Sequence, residues 1–183
     1  MSELVVSTTK VGRSEFASGR VLRHALAALS VGAAYYIGAK IGFALTFRPH
    51  PVSTLWPPNS ILFAALILSN PRSWWFLLLA AFPAHLLVQL NADIPSTMIL
   101  CWFVSNCTEA LVSASLLRYL TNKSELRFDN TQHVSIFILV SLLGPFLSSF
   151  LDAAFVMLYH FGDSPYWAVF RLRFFSNVLA CLT

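Results

Sequence analysis

The chain has 183 residues, of which 57% are hydrophobic and only 11% are charged, and its mean hydropathy is +0.68. A water-soluble domain carries roughly 25% charged residues to cover its surface, so this composition excludes an ordinary soluble domain, a disordered chain and a nucleic-acid-binding module. The net charge of +4 comes from basic residues that are scattered between apolar segments instead of gathered in one patch.

Six apolar segments follow one another along the chain, and a helix of about 20 apolar residues is enough to cross a membrane. They run from Leu22 to Phe47, Leu55 to Ser69, Trp74 to Leu90, Ser96 to Leu120, Val134 to Tyr159, and from Trp167 to Thr183. The second has only about 15 residues, roughly 22 Å as a helix, and we expect it to be tilted little or to stop short of crossing. The sixth is still apolar where the chain stops, so we expect the membrane domain to be incomplete at its C-terminus. The sequence predicts an all-α, polytopic transmembrane bundle of about six helices.

The basic residues predict the orientation of this bundle, because Lys and Arg accumulate in short cytoplasmic loops. The residues on one side of the predicted membrane are Lys10, Arg13, Arg20, Arg23, Arg72, Arg118, Lys123 and Arg127, against Arg48 alone on the other. We therefore predict a cytoplasmic N-terminus, a polar cytoplasmic segment over residues 1–20 and a membrane domain over residues 21–183. The first apolar segment is too long for a cleaved signal peptide and is interpreted as an uncleaved helix.

Polar side chains inside the predicted helices are the candidate functional residues. A charge near the middle of a spanning helix costs about 2.5 to 3.5 kcal/mol, so such a residue is kept where it has a partner or a task. The fourth segment places Asn106, Glu109 and Ser113 on one helical face, and the fifth segment adds Asp152. Depth along the segments and shared helical faces give the candidate ligand-binding or polar-network residues as Lys40, Asn59, His85, Asn106, Glu109, Asp152, Arg171, Arg173 and Asn177.

Three interpretations of these residues stay open. They form a structural salt-bridge network that only holds the helices together, a polar pocket open to the periplasmic side, or a path for protons or ions. Arg171 and Arg173 lie in the first turns of the sixth segment, where snorkelling to the interface is an alternative role.

A second feature is the Trp56-Pro57-Pro58-Asn59 motif at the start of the second segment. Prolines suit the first turn of a helix and tryptophan anchors membrane interfaces. The segment that contains this motif, VSTLWPPNSILFAALILSNPRSWWFLLLAAFPAHLLVQ, resembles the signature of the first membrane-associated sensor family. Three later segments resemble the same family: NCTEALVSASLL, FLSSFLDAAFV and YWAVFRLRFFSNVLA. The family comprises integral-membrane sensory domains at the N-termini of bacterial histidine kinases and diguanylate cyclases.

The resemblance implies a sensory domain in the bacterial inner membrane, with a small ligand, a C-terminal signalling output domain and a possible homodimer as its partners besides the lipid bilayer. It implies no catalysis by this chain, whereas the output domain of such a protein is a kinase or a cyclase. From the residues themselves we expect no cofactor, no metal and no nucleic acid, and Cys101, Cys107 and Cys181 lack the spacing of a disulfide framework or a zinc site. The alternatives are a small secondary transporter, which broken helices with polar residues would suit, and a membrane-embedded enzyme, for which we find no catalytic motif.

Overall fold

The computed structural model describes residues 2–46, 53–92, 94–122 and 126–183, with side chains from residue 21 onward. Arg48 and Lys123, which enter the count of loop charges, lie outside the described residues. The described part contains six α-helices: α1 (Ser2–Ala44), α2 (Pro57–Ile67), α3 (Trp74–Leu90), α4 (Ser96–Leu120), α5 (Thr131–Leu158) and α6 (Tyr166–Leu182). The prediction of an all-α bundle of six helices is confirmed.

Four of these helices have the length and apolar composition that crossing a membrane requires. The stretches are Val21–Ala44 of α1, Pro71–Leu90 including α3, and the whole of α4 and α5. α1 begins at Ser2, so the helix continues through the segment that the sequence predicts as a separate polar head. Large apolar side chains such as Leu29, Leu79 and Leu100 are exposed on the outside of the bundle, as lipid contact requires.

The short helix α2 lies in the middle of the bundle, where it packs against α1, α3, α4 and α6. It has 11 residues, roughly 16 Å at 1.5 Å per residue, or about half of the hydrocarbon thickness. Pro57 and Pro58 occupy its first turn, where the missing N–H groups cost nothing. At its other end the Trp74 indole donates a hydrogen bond of 2.8 Å to the Leu66 carbonyl oxygen, which ties α2 to the start of α3.

Two helix starts differ by a few residues from the sequence prediction, for local reasons. α5 begins at Thr131 instead of Val134, because the Asn130 side chain accepts a hydrogen bond of 2.9 Å from the Gln132 backbone and caps the helix. α6 begins at Tyr166, directly after Pro165.

α1 and the start of α2 approach each other closely because α1 has a glycine, Gly42, at the point of contact. The Trp56 indole lies against α1, and a Cβ atom on Gly42 would be 2.6 Å from the ring atom Cε3 of Trp56. Trp56 is only 5% exposed and contacts Phe43 edge to face. The structure therefore packs this tryptophan between helices, and its role as an anchor at the membrane interface stays a prediction from the sequence. The glycine surface of α1 leaves room that the indole fills.

We expect Gly42→Ala to lower the free energy of unfolding by about 1 to 3 kcal/mol, because the added methyl group overlaps a ring that cannot move away without repacking. The measurement is the midpoint of thermal unfolding in detergent. Gly19→Ala is the matched control, since nothing lies within 4 Å of a Cβ at that position. Equal midpoints for the two variants would contradict the close packing of Trp56 on α1.

Candidate functional site

The inward face of α4 carries the polar groups around which the other helices pack. Ser105, Asn106, Glu109 and Ser113 are each at most 2% exposed. The spacing of three and four residues places them along one side of the helix. The polar stripe that the sequence predicts on this segment therefore lies inside the protein, away from lipid.

Glu109 is the centre of a group of polar residues that we call the carboxylate cluster. The Ser148 hydroxyl of α5 donates a hydrogen bond of 2.5 Å to Glu109 Oε2, and the Asn177 amide of α6 donates one of 2.7 Å to the same oxygen. Asn59 of α2 is buried near this carboxyl group. The cluster consists of Asn59, Glu109, Ser148, Asp152, Arg173 and Asn177, and it joins α2, α4, α5 and α6.

Asp152 and Arg173 form the outer part of this cluster. Both are buried, and the charge of Arg173 acts on the Asp152 carboxyl group. The neighbouring Ser105 hydroxyl donates a hydrogen bond of 3.3 Å to the Ser148 carbonyl oxygen. The guanidinium carbon of Arg173 lies 4.7 Å from the centroid of the Trp102 ring, a cation–π arrangement. α4, α5 and α6 therefore meet around the buried side chains of Asp152 and Arg173 as well as at Glu109.

Two of the predicted network residues lie elsewhere. Lys40 and Arg171 are exposed on the outer surface of the bundle, and the Arg171 side chain donates to the Trp167 carbonyl oxygen. The reason is geometric, because residues 171 and 173 are two positions apart and so point to nearly opposite sides of α6. Of the three basic residues that the sequence places together, the structure brings Arg173 alone into the cluster.

His85 and Asn106 belong to a second set of hydrogen bonds, the tyrosine chain. The Asn106 amide donates to the Tyr35 hydroxyl at 2.9 Å, that hydroxyl is 2.8 Å from His85 Nδ1, and His85 Nε2 is 2.9 Å from the Ile99 carbonyl oxygen. Because a carbonyl oxygen only accepts, the ring hydrogen lies on Nε2, so Tyr35 donates to Nδ1. The tyrosine chain therefore links α1, α3 and α4. Each donor in it has one acceptor, from Asn106 to Tyr35, from Tyr35 to His85, and from His85 to the Ile99 carbonyl oxygen.

Tyr35 is the residue of this set that sequence analysis missed. It is fully buried and lies well inside the span that begins at Val21. A tyrosine at that depth, away from the interface where tyrosines normally collect, was the available signal. The sequence instead indicates Lys40 from the same helix, because a charged residue inside an apolar segment is the stronger signal.

The space beside the cluster is small. A cleft lined by residues that include Trp102, Phe161, Val169 and Arg173 has a volume of about 10 Å³, which is at the limit for one water molecule. Among the described residues, no group of three or more His, Cys, Asp or Glu side chains is placed to hold a metal ion.

The comparisons with known proteins agree with the sequence resemblance. The family model MASE1 matches residues 27–183. No curated protein and no solved structure matches the chain.

We expect Tyr35→Phe to destabilise the bundle by about 1 to 3 kcal/mol, because removing the hydroxyl leaves a buried acceptor on His85 and a buried donor on Asn106 without partners. The midpoint of thermal unfolding in detergent measures this. Tyr36→Phe is the matched control, since Tyr36 is 36% exposed and should lose little. A loss as large for Tyr36→Phe would show that the tyrosine chain contributes nothing specific.

Proposed function

The chain belongs to the MASE1 family of integral-membrane sensory domains, and on this premise we propose that it is the signal-input domain of a bacterial signal-transduction protein whose stimulus acts on the carboxylate cluster. A signalling output domain, a kinase or a cyclase, follows the membrane domain in this proposal. The chain itself carries no catalytic step.

The observation that carries the proposal is the convergence of four helices on one buried carboxyl group. Polar and charged groups inside a membrane are costly and are kept for a function by default. Glu109, Ser148 and Asn177 each come from a different helix, so any change in the bonding of Glu109 alters how those helices pack. Helix shifts of this kind are a common means of transmitting a signal through a membrane domain.

The cluster contains buried polar atoms with unused hydrogen-bonding capacity. Buried polar atoms in a finished structural network normally have partners, whereas Asn59 Oδ1, Glu109 Oε1, Asp152 Oδ1 and Asn177 Oδ1 have none among the described residues. These atoms supply hydrogen-bonding capacity for a small polar ligand. Because the adjacent cleft is almost closed, a ligand would bind a second, more open arrangement of the helices, as a two-state sensor requires.

The orientation follows from the loop charges and belongs to the same proposal. It puts residues 1–20 in the cytoplasm, the outer part of the cluster toward the periplasm, and the output domain on the cytoplasmic side of the inner membrane. Homodimerisation is the means by which such a domain would align two output domains.

The orientation predicts which connections a membrane-impermeant thiol reagent reaches. In a variant that lacks Cys101, Cys107 and Cys181, Asp163→Cys between α5 and α6 should react in intact spheroplasts. Asp129→Cys, between α4 and α5, should react only after the membrane is permeabilised. Maleimide labelling measures both, and the opposite pattern would show that the topology is inverted.

Arg173 and Arg171 provide a matched pair for testing the sensing role. We expect Arg173→Gln to reduce the stimulus-dependent change in output activity by about 5- to 150-fold, the range of typical coupling energies, because Asp152 then loses its buried counter-charge. Arg171→Gln should leave the response unchanged, since that side chain is exposed. The measurement is the activity of the complete gene product in isolated membranes, normalised to its amount by immunoblotting.

A full response in Arg173→Gln would contradict the proposal, as would equal losses in both variants. Solute flux into proteoliposomes is the companion measurement, because a sensor binds its ligand without moving it across the membrane. Stimulus-independent flux that stops in Arg173→Gln would identify the chain as a transporter instead.

A further inference from the structure

The buried charges of the carboxylate cluster do not balance. Its ionisable groups are the carboxyl groups of Glu109 and Asp152 and the guanidinium of Arg173, while Lys40 and Arg171 point outward. Arg173 acts on Asp152 and stacks on Trp102. If both carboxyl groups were ionised, the cluster would hold one uncompensated negative charge inside the membrane, which is strongly unfavourable.

The helices around Glu109 provide no other positive charge to it among the described residues. α2 (Pro57–Ile67) has no titratable side chain, α5 contributes the acidic Asp152, and α6 contributes Arg173 and the thiol of Cys181. Tyr35 and His85, next to Asn106 on the same face of α4, are bonded to each other and to neutral groups. The missing positive charge must therefore come from outside these side chains.

The hydrogen bonds of Glu109 indicate where that charge is held. Oε2 already accepts from Ser148 and from the Asn177 amide nitrogen, whereas Oε1 has no donor. The Asn177 amide oxygen, attached to the same amide group that contacts this carboxyl group, also has no donor. A hydrogen on Oε1 supplies the missing donor. The carboxylic acid can then donate from Oε1 to Asn177 Oδ1 while Oε2 accepts from the Asn177 amide nitrogen, so that two hydrogen bonds join the two groups.

We propose that Glu109 holds an exchangeable proton on Oε1, donated to Asn177 Oδ1, and that this proton locks α4 to α6 in the closed state of the site. The inference rests on the proposed function: the proton joins Glu109 Oε1 to Asn177 Oδ1 in the closed state, and both atoms become available to the small polar ligand in the open state. Loss of the proton leaves a charged oxygen facing an amide oxygen, two acceptors that repel each other. The α4–α6 contact is therefore stabilised while Glu109 is protonated and is weakened when the proton leaves.

Infrared spectroscopy of the 183-residue chain in lipid vesicles tests this directly. A protonated carboxyl group absorbs above the amide band, and the band moves to lower frequency in D₂O. We expect such a band at neutral pH in the wild type, its loss in Glu109→Gln, and its retention in the control Asp163→Asn, whose carboxyl group is exposed and lies outside the cluster. Glu109→Gln should still fold, because the Gln side chain offers an oxygen at one position and N–H donors at the other.

Ser148→Ala keeps Glu109 and supplies a second test. Removing one donor from Oε2 strengthens the C=O bond, so the band should persist and shift to higher frequency. A spectrum unchanged between the wild type and Glu109→Gln would overturn the proposal, as would a band lost in Asp163→Asn.

Replacing choline chloride with sodium chloride tests whether a bound metal cation, instead of a proton, compensates the charge of Glu109. An ionised carboxylate band of Glu109 that responds to sodium would mean that a cation occupies the site, and would overturn the proton assignment. These spectra need no stimulus and no output domain, so their outcome is read separately from the Arg173 test of the sensing role.

Discussion

Two hydrogen bonds to a single oxygen of Glu109 hold the centre of this bundle together. Inside the hydrocarbon there is no water to satisfy a polar group, so each such group must find its partner on another helix or within its own. Ser148 and Asn177 meet this requirement from α5 and α6. These polar contacts add to the apolar core in which Trp102, Val156 and Phe170 pack between the same three helices, whereas the apolar exterior determines only that the helices lie in lipid.

α4 is the helix that the two polar sets share. Asn106, in the tyrosine chain, and Glu109, in the carboxylate cluster, are three residues apart on the same buried face. A rotation or shift of α4 that alters the bonding of Glu109 thus also displaces the donor to Tyr35, and through it the contact of α1 with α3. Signals that begin among α4, α5 and α6 have a physical route to the N-terminal helices, made of hydrogen bonds with defined donors and acceptors.

The short helix α2 makes this arrangement possible. Because it covers only about half of the hydrocarbon thickness, it can lie between four other helices and present Asn59 to the carboxylate cluster from the centre of the bundle. Its close approach to α1 over Gly42 brings Trp56 inward, which explains why this tryptophan is part of the packing. The motif that identifies the family at the sequence level is, in three dimensions, the start of the central helix.

Much of the architecture could be predicted from the sequence because membrane helices are determined locally. Length and hydropathy are properties of single segments, and they gave six helices in the right order, a second segment too short to cross easily, and the polar face of α4 with Glu109 at its centre. The family resemblance is likewise carried by contiguous residues. The start of α5 differs from the predicted one by a few residues, because the side chain of Asn130 caps the helix.

The tertiary structure decided which faces of different helices meet. Periodicity places Arg171 and Arg173 on their own helix, yet only the packing of α6 determines that Arg173 points inward and Arg171 outward. The same holds for Lys40, which is exposed, and for Tyr35, which joins His85 across 50 positions of sequence. The rotation of a helix about its axis is set by the summed contacts with all its neighbours, and no single segment of the sequence contains that sum.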